Sequence, residues 1–212
     1  MITLYVSYLD ALPSEGQEEY EKLLKEISGE RQERIRKNKS HESRKQLLGA
    51  GVLLKKVFEI YGVDANAIQK DSHGKPVIDG FHFNLSHTDG LVICAVGDQS
   101  VGCDAERMGL APQGVAERFF SETEKEYFCS SEMSYDETFF RLWTMKESYI
   151  KMTGEGMHLP MDCFEIYLGD PIKIFREGKE QSCYVKEYDI PGYKVTVCAK
   201  EREFSERVIV LN

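Results

Sequence analysis

The chain begins with an apolar run, Ile2-Thr3-Leu4-Tyr5-Val6, which predicts a strand over 2–8. The period then becomes helical. Tyr20, Leu23, Leu24 and Ile27 recur every three or four residues, behind Ser14 and Gln17 at capping-box spacing, and predict an amphipathic helix over 15–28. Leu47, Ala50, Leu54, Val57, Phe58 and Tyr61 form the stripe of a longer helix over 41–61, with Gly62 placed to end it. The period next falls to two. Phe81, Phe83 and Leu85 alternate with His82 and Asn84, and Leu91 to Val96 is a continuous apolar strand. After a Gly97-Asp98 turn, Val101-Gly102-Cys103 lead into Asp104-Ala105-Glu106.

The second half repeats this mixture. Ser121 to Glu124 is a capping box opening a short helix, and Ser134 with Glu137 opens a helix over 135–153 that Gly154 closes. Strands are predicted near 163–168, 172–175, 182–189 and 193–199, the last two joined by Ile190-Pro191-Gly192, and the tail 207–211 is apolar. Helices and strands lie on both sides of residue 100 with no low-complexity linker. Two similar-sized α+β halves fit this pattern, although no residue-level repeat proves them.

Length and composition narrow the function. A chain of 212 residues, 42% apolar and 30% charged, can bury one large core or two small ones. The start of the chain lacks the basic flank and apolar region of a signal peptide, and no run approaches the roughly 18 apolar residues of a membrane span. A cytoplasmic protein without membrane contact is expected. The net charge of -9 argues against broad nucleic-acid binding, which depends on neutralising phosphates. The six cysteines form no C-x-x-C pair, which disfavours zinc and fits reduced, mostly buried thiols.

Several residues could carry chemistry, and each has an ordinary explanation beside the functional one. Asp104 and Glu106, two apart on a strand, project from one face, where a hard cation such as Mg²⁺ would relieve their repulsion. The ordinary explanation is a solvated acidic rim. Trp143, Glu147 and Lys151 are spaced four apart on one helix face, and Glu147 ahead of Lys151 is also the order of a plain helical ion pair. Lys75 sits in a Gly74-Lys75-Pro76 turn, and His87 follows Asn84-Leu85-Ser86 at a strand end. Arg31, Arg34, Arg36, Lys37, Lys39, Arg44 and Lys45 make a basic run that is ordinarily a solvated helix face and matters only beside a phosphate pocket.

The order and spacing of these pieces together resemble the 4′-phosphopantetheinyl transferases of the surfactin-synthetase-activating type. The matching stretches are Gly74-Lys75-Pro76, Asn84-Leu85-Ser86-His87, Val101 to Glu106, Arg118-Phe119-Phe120-Ser121 through Glu124, and above all Trp143-Thr144-Met145-Lys146-Glu147-Ser148-Tyr149-Ile150-Lys151. Gly154 to Pro160 and Pro191-Gly192-Tyr193 extend the likeness, which covers about 25 to 205. The resemblance implies an α+β pseudodimer of two similar halves, each with a small antiparallel sheet and packed helices. Residues 1–100 would supply coenzyme A phosphate contacts, and 101–212 the metal and catalytic residues.

By position, the resemblance implies Asp104, Glu106 and Glu147 as Mg²⁺ ligands, with Mn²⁺ an open alternative. It implies Lys75, Ser86 and His87 around the adenosine 3′-phosphate, with Arg31, Arg34 and Arg44 or Lys45 near the same phosphates. Lys146 and Lys151 would meet the pyrophosphate. Glu147 and Lys151 would be catalytic, with Glu124 as an alternative base. Coenzyme A and an acyl or peptidyl carrier protein would be the partners of a monomer. The competing readings are a catalytically silent coenzyme A or nucleotide-binding regulator of the same fold, a nucleic-acid module using the 31–45 run, and the short trimeric holo-acyl-carrier-protein synthase, which has about half this length.

Overall fold

Two short stretches of alternating apolar residues, each followed by a long helix and a hairpin, generate the architecture. The computed structural model describes residues 1–130 and 132–212. In chain order the elements are β1 (Ile2–Tyr8), α1 (Glu18–Glu26), α2 (Gly29–Lys37), α3 (His41–Tyr61), β2 (Gln69–Lys70), β3 (Pro76–Val77), β4 (His82–Thr88), β5 (Leu91–Gly97) and β6 (Val101–Arg107). Then follow α4 (Val115–Phe119), α5 (Glu122–Ser130), α6 (Tyr135–Thr153), β7 (Phe164–Tyr167), β8 (Lys173–Arg176), β9 (Lys179–Glu180), β10 (Tyr184–Ile190), β11 (Tyr193–Ala199) and β12 (Phe204–Val210).

The first sheet has the order β12-β1-β5-β4 and the second β10-β11-β6. In each, a leading strand pairs antiparallel with the third strand of its half, which pairs antiparallel with the second: β1-β5-β4 and β6-β11-β10. A long helix, α3 or α6, comes between the leading strand and the hairpin in each half. The fold is α+β, with two halves of matching topology.

Alternation along the strands sorts side chains between two cores. Ile2, Leu4, Val6, Leu91, Ile93 and Ala95 join Val101, Cys103, Ala105, Val195, Val197 and Ala199 in one buried cluster, so the sheets pack face to face. The intervening residues Tyr5, Val92, Cys94 and Val96 face α3 through Leu53, Val57 and Phe58. On β6 the intervening residues are Gly102, Asp104 and Glu106, and they face α6. The layers therefore run α3, sheet, sheet, α6.

Gly102 is what lets α6 lie so close. A Cβ there would strike backbone atoms of Ser148, Lys151 and Met152, so only a hydrogen atom fits between strand and helix. Both long helices end as their glycines predict, with Gly62 and Gly154 in the left-handed region at φ 65° and 80°.

Four expectations differ from what is found. The first helix starts at Glu18, because Gln17 accepts a hydrogen bond from Ser14 N at 2.7 Å but Ser14 makes no return bond as a cap. The basic run is split: Gly29 to Lys37 form a helix of their own, and Ser40 caps α3 by accepting from Ser43 N. The apolar tail becomes β12, which pairs parallel with β1 and finishes the sheet of the other half. All six cysteines are free, but only Cys94, Cys103 and Cys198 are buried, while Cys129 and Cys163 are exposed.

The tight α6–β6 crossing yields a stability prediction. Gly102→Ala forces two backbone segments apart and should destabilise the fold by about 1–3 kcal/mol or more, measured by urea denaturation. Unchanged stability would mean that the helix can shift at no cost.

Candidate active site

The site forms where β4, β6 and α6 meet. The small polar residues of β4 on one face all reach β6. Asn84 Oδ1 accepts from Cys103 N at 2.9 Å, Ser86 Oγ donates to Asp104 Oδ1 at 2.8 Å, and Thr88 Oγ1 donates to Glu106 Oε2 at 3.2 Å. The period of two in Asn84, Ser86 and Thr88 is visible in the sequence, but nothing local shows that β6 is its partner. This ladder ties the two halves together beside the acidic residues.

From the other side α6 delivers Lys151. Its ammonium lies 2.5 Å from Asp104 Oδ1 and 3.1 Å from Ser86 Oγ. Asp104 is 4% exposed, and its second oxygen, Oδ2, is buried with no hydrogen-bond partner. A buried carboxylate oxygen without a donor is costly and calls for a ligand. Burial pulls the Lys151 pKa down, but the Asp104 carboxylate more than offsets this and holds it above the ordinary lysine value.

Glu147 and Glu106 complete the acidic group. Burial first, and then the Asp104 charge, raise the Glu147 pKa, with Lys151 opposing them. The same two causes push Glu106 up to about 7, with a smaller contribution from Glu147. The three carboxyls thus share one electrostatic neighbourhood although 104 and 147 are far apart in the chain. Among the described residues no group of three His, Cys, Asp or Glu side chains stands ready-arranged for a metal ion. The donor set still suits a hard divalent cation: all oxygen, mutually repelling, and with one oxygen unpartnered.

A cationic wall lies next to it. His87 projects from the opposite face of β4 to Ser86, toward α2. Crowding by protein atoms lowers its pKa first, and the nearby cations Lys151, Arg31 and Arg34 lower it further. Arg31 is held down by burial and by Arg34, and its guanidinium donates to Leu47 O at 3.5 Å. Arg34 and His87 share the lining of an open cavity of about 430 Å³ beside α3. Two guanidiniums and an imidazole thus stand together, a setting that suits an anion.

Five expected site residues are placed otherwise. Lys146 is 0% exposed and spent within the core. It pairs with Glu124 at 2.8 Å, donates to Met161 O and Phe164 O at 2.7 and 2.8 Å, and lies over the Phe164 ring. Lys146 and Lys151 are five apart on α6, so they leave the helix on different faces. Glu124, also 0% exposed, accepts from Ile166 N and Ser121 N besides Lys146, which removes it as an alternative base. Arg44 is bound to Glu15 and to the carbonyls of Asn38 and Lys39, and Lys45 faces Asp10 at 3.4 Å. The structure thus gathers Arg31 and Arg34, not Arg44 or Lys45, around His87. The Lys75 ammonium donates to the Lys151 and Val101 carbonyls at 2.5 and 3.4 Å.

Comparison with known proteins shows the family. The model of the 4'-phosphopantetheinyl transferase superfamily matches residues 100–198, the stretch that carries Asp104, Glu106, Glu147 and Lys151. The 4'-phosphopantetheinyl transferase Sfp of Bacillus subtilis (strain 168) is 34% identical over 219 residues, covering 99% of this chain and 97% of its own. The 4'-phosphopantetheinyl transferase gsp of Aneurinibacillus migulanus is 35% identical over 161 residues, 73% of this chain and 68% of its own. The holo-[acyl-carrier-protein] synthase of Thermotoga maritima overlaps partially, with a TM-score of 0.41 and 20% identity over 49% of this chain and 64% of that one. The chain belongs to the 4'-phosphopantetheinyl transferase superfamily and is an enzyme of that class.

The raised Glu106 pKa predicts a pH effect on stability. A carboxyl whose folded pKa exceeds its unfolded value binds its proton more tightly when folded. Its contribution is fully present below the unfolded pKa of about 4.5 and is lost as pH rises through about 7. In chelator-treated protein, Glu106→Gln should melt above wild type at pH 8 and lose that advantage near pH 4.5. Equal melting at pH 8 would mean that the Glu106 carboxylate is not destabilised.

Proposed function

We propose that the enzyme transfers the 4′-phosphopantetheine group of coenzyme A to a serine of an apo carrier protein and releases adenosine 3′,5′-bisphosphate. The observation that carries this reading is the Lys151–Asp104–Ser86 cluster, with its unpartnered carboxylate oxygen, beside the cations Arg31 and Arg34 and the imidazole of His87. An acidic pocket adjoining a basic one suits a diphosphate held through a cation. Residues 1–100 then bind phosphate, and 101–212 supply the metal and catalytic groups.

In this reading Arg31, Arg34 and His87 take the nucleotide phosphates. Lys151, kept protonated by Asp104, faces the diphosphate and offsets charge as the leaving phosphate departs. Glu147 accepts the proton of the carrier serine as its oxygen attacks the pantetheine-side phosphorus. Its raised pKa makes it a stronger base than an ordinary carboxylate. Asp104, Glu106 and Glu147 would hold Mg²⁺, or Mn²⁺ in its place. When bound, the divalent ion neutralises diphosphate oxygens and fixes their orientation.

Between β6 and α4, Leu110 is 89% exposed and would offer a docking carrier an apolar contact, whereas Phe120 belongs to the core. Among the described residues no helix is long and apolar enough to cross a membrane, and a cytoplasmic monomer suits the reaction.

The test is direct. Protein, coenzyme A, Mg²⁺ and an apo carrier are mixed, and the carrier is weighed by mass spectrometry for the phosphopantetheine adduct. Glu147→Ala and Lys151→Ala should each lower turnover by about a hundredfold or more, on the scale of losing a general base or a charge stabiliser. Wild-type turnover in either variant removes that residue from the mechanism, and an unmodified carrier in the wild-type reaction rejects the assignment for that carrier.

A further inference from the structure

Among the described residues the Lys75 ammonium has two hydrogen-bond partners, and both are main-chain carbonyls of the other half: Lys151 O and Val101 O. The loop that presents it is firmly built. Asp71 Oδ1 accepts from the backbone N–H groups of His73 and Lys75, each at 2.9 Å, and Asp71 N donates to Lys75 O at 3.0 Å. Gly74 supplies the left-handed turn at φ 84°. The loop also packs on the end of α6, since a Cβ at Gly154 would lie 3.6 Å from Asp71 Oδ2 and 3.8 Å from Lys75 Cδ.

The last carbonyls of a helix have no partner within it and carry the negative end of its dipole. In α6 the Gly154 N–H and the Thr153 hydroxyl meet Ile150 O, and the next two carbonyls are met from outside the helix. Ser100 Oγ donates to Met152 O at 2.6 Å, and Lys75 donates to Lys151 O. Lys151 is therefore held at both ends, by its carbonyl on Lys75 and by its ammonium on Asp104.

We propose that Lys75 is a positioning residue, capping the last turn of α6 at the Lys151 carbonyl so that the Lys151 ammonium stands fixed against Asp104. This rests on the transferase reading above, in which Lys151 faces the diphosphate. A Lys75 engaged in this way meets no phosphate itself. Losing it frays the last turn and spoils the chemical step while leaving coenzyme A binding largely intact.

Kinetics and hydrogen exchange together test the assignment. Lys75→Met should lower kcat roughly tenfold and leave the KM for coenzyme A within about twofold, the pattern of an interaction felt in the transition state. The preference for coenzyme A over 3′-dephospho-coenzyme A should be unchanged, and Lys75→Arg should recover most of the lost rate. In substrate-free protein, amides of 150–154 should exchange faster in Lys75→Met than in wild type. A raised KM with loss of the coenzyme A preference would make Lys75 a phosphate contact and overturn the proposal, as would wild-type kcat or unchanged exchange. Lys75→Gln, which keeps a donor for one carbonyl, replaces Lys75→Met should the latter fail to fold. A wild-type protein inactive with coenzyme A would sink the transferase reading alone, because the exchange result still decides whether Lys75 holds the helix end.

Discussion

One ion pair between distant parts of the chain organises the cleft. Lys151 reaches Asp104 only because α6 lies against β6 with nothing between them at Gly102, and it reaches Ser86 because β4 runs beside β6. Removing either charge from water costs several kcal/mol, which such a pair recovers only with good geometry and further hydrogen bonds. The network remains unfinished, since Asp104 keeps an oxygen without a donor and Glu106 and Glu147 resist ionisation beside it. A fold that needed only stability would have filled that place with apolar atoms. An incomplete polar network in a cleft marks where a ligand contributes the missing contacts.

The helix α6 serves two environments at once. One flank carries Glu147 and Lys151 to the cleft, while Lys146 enters the core to neutralise Glu124. That glutamate is also the reciprocal member of the capping box at the start of α5 and holds β7 through Ile166 N. A single buried carboxylate thus joins α5, α6 and β7 around Lys146, which fixes the rotation of α6 about its axis. The neighbouring residue Glu147, about 100° further round the helix, is aimed by that buried contact.

Much of this was legible in the sequence, for physical reasons. Period-two and period-3.6 patterns placed β1, β4, β5, α3 and α6 nearly where they are found, and glycines marked both long helix ends. Asp104, Glu106, Glu147 and Lys151 could be grouped because their spacing puts them on one strand face and one helix face. What escaped depends on partners remote in the chain. The parallel pairing of β12 with β1 leaves no local trace, and the tail shows only its apolar character. A lysine at position 146 reads as a surface cation until Glu124 is brought to it by folding. Arg44 likewise looks free until Glu15 and two loop carbonyls claim it.

The placement of β12 bears on how the two halves are joined. It comes from the far end of the chain yet forms the edge of the first sheet, alongside β1. Severing the chain at its topological midpoint would strip that edge from the first half and leave β1 with an open row of backbone donors and acceptors, while the second half would carry an orphaned strand. The halves match in topology but are not interchangeable modules, and exchanging one between relatives requires β12 to travel with the N-terminal piece.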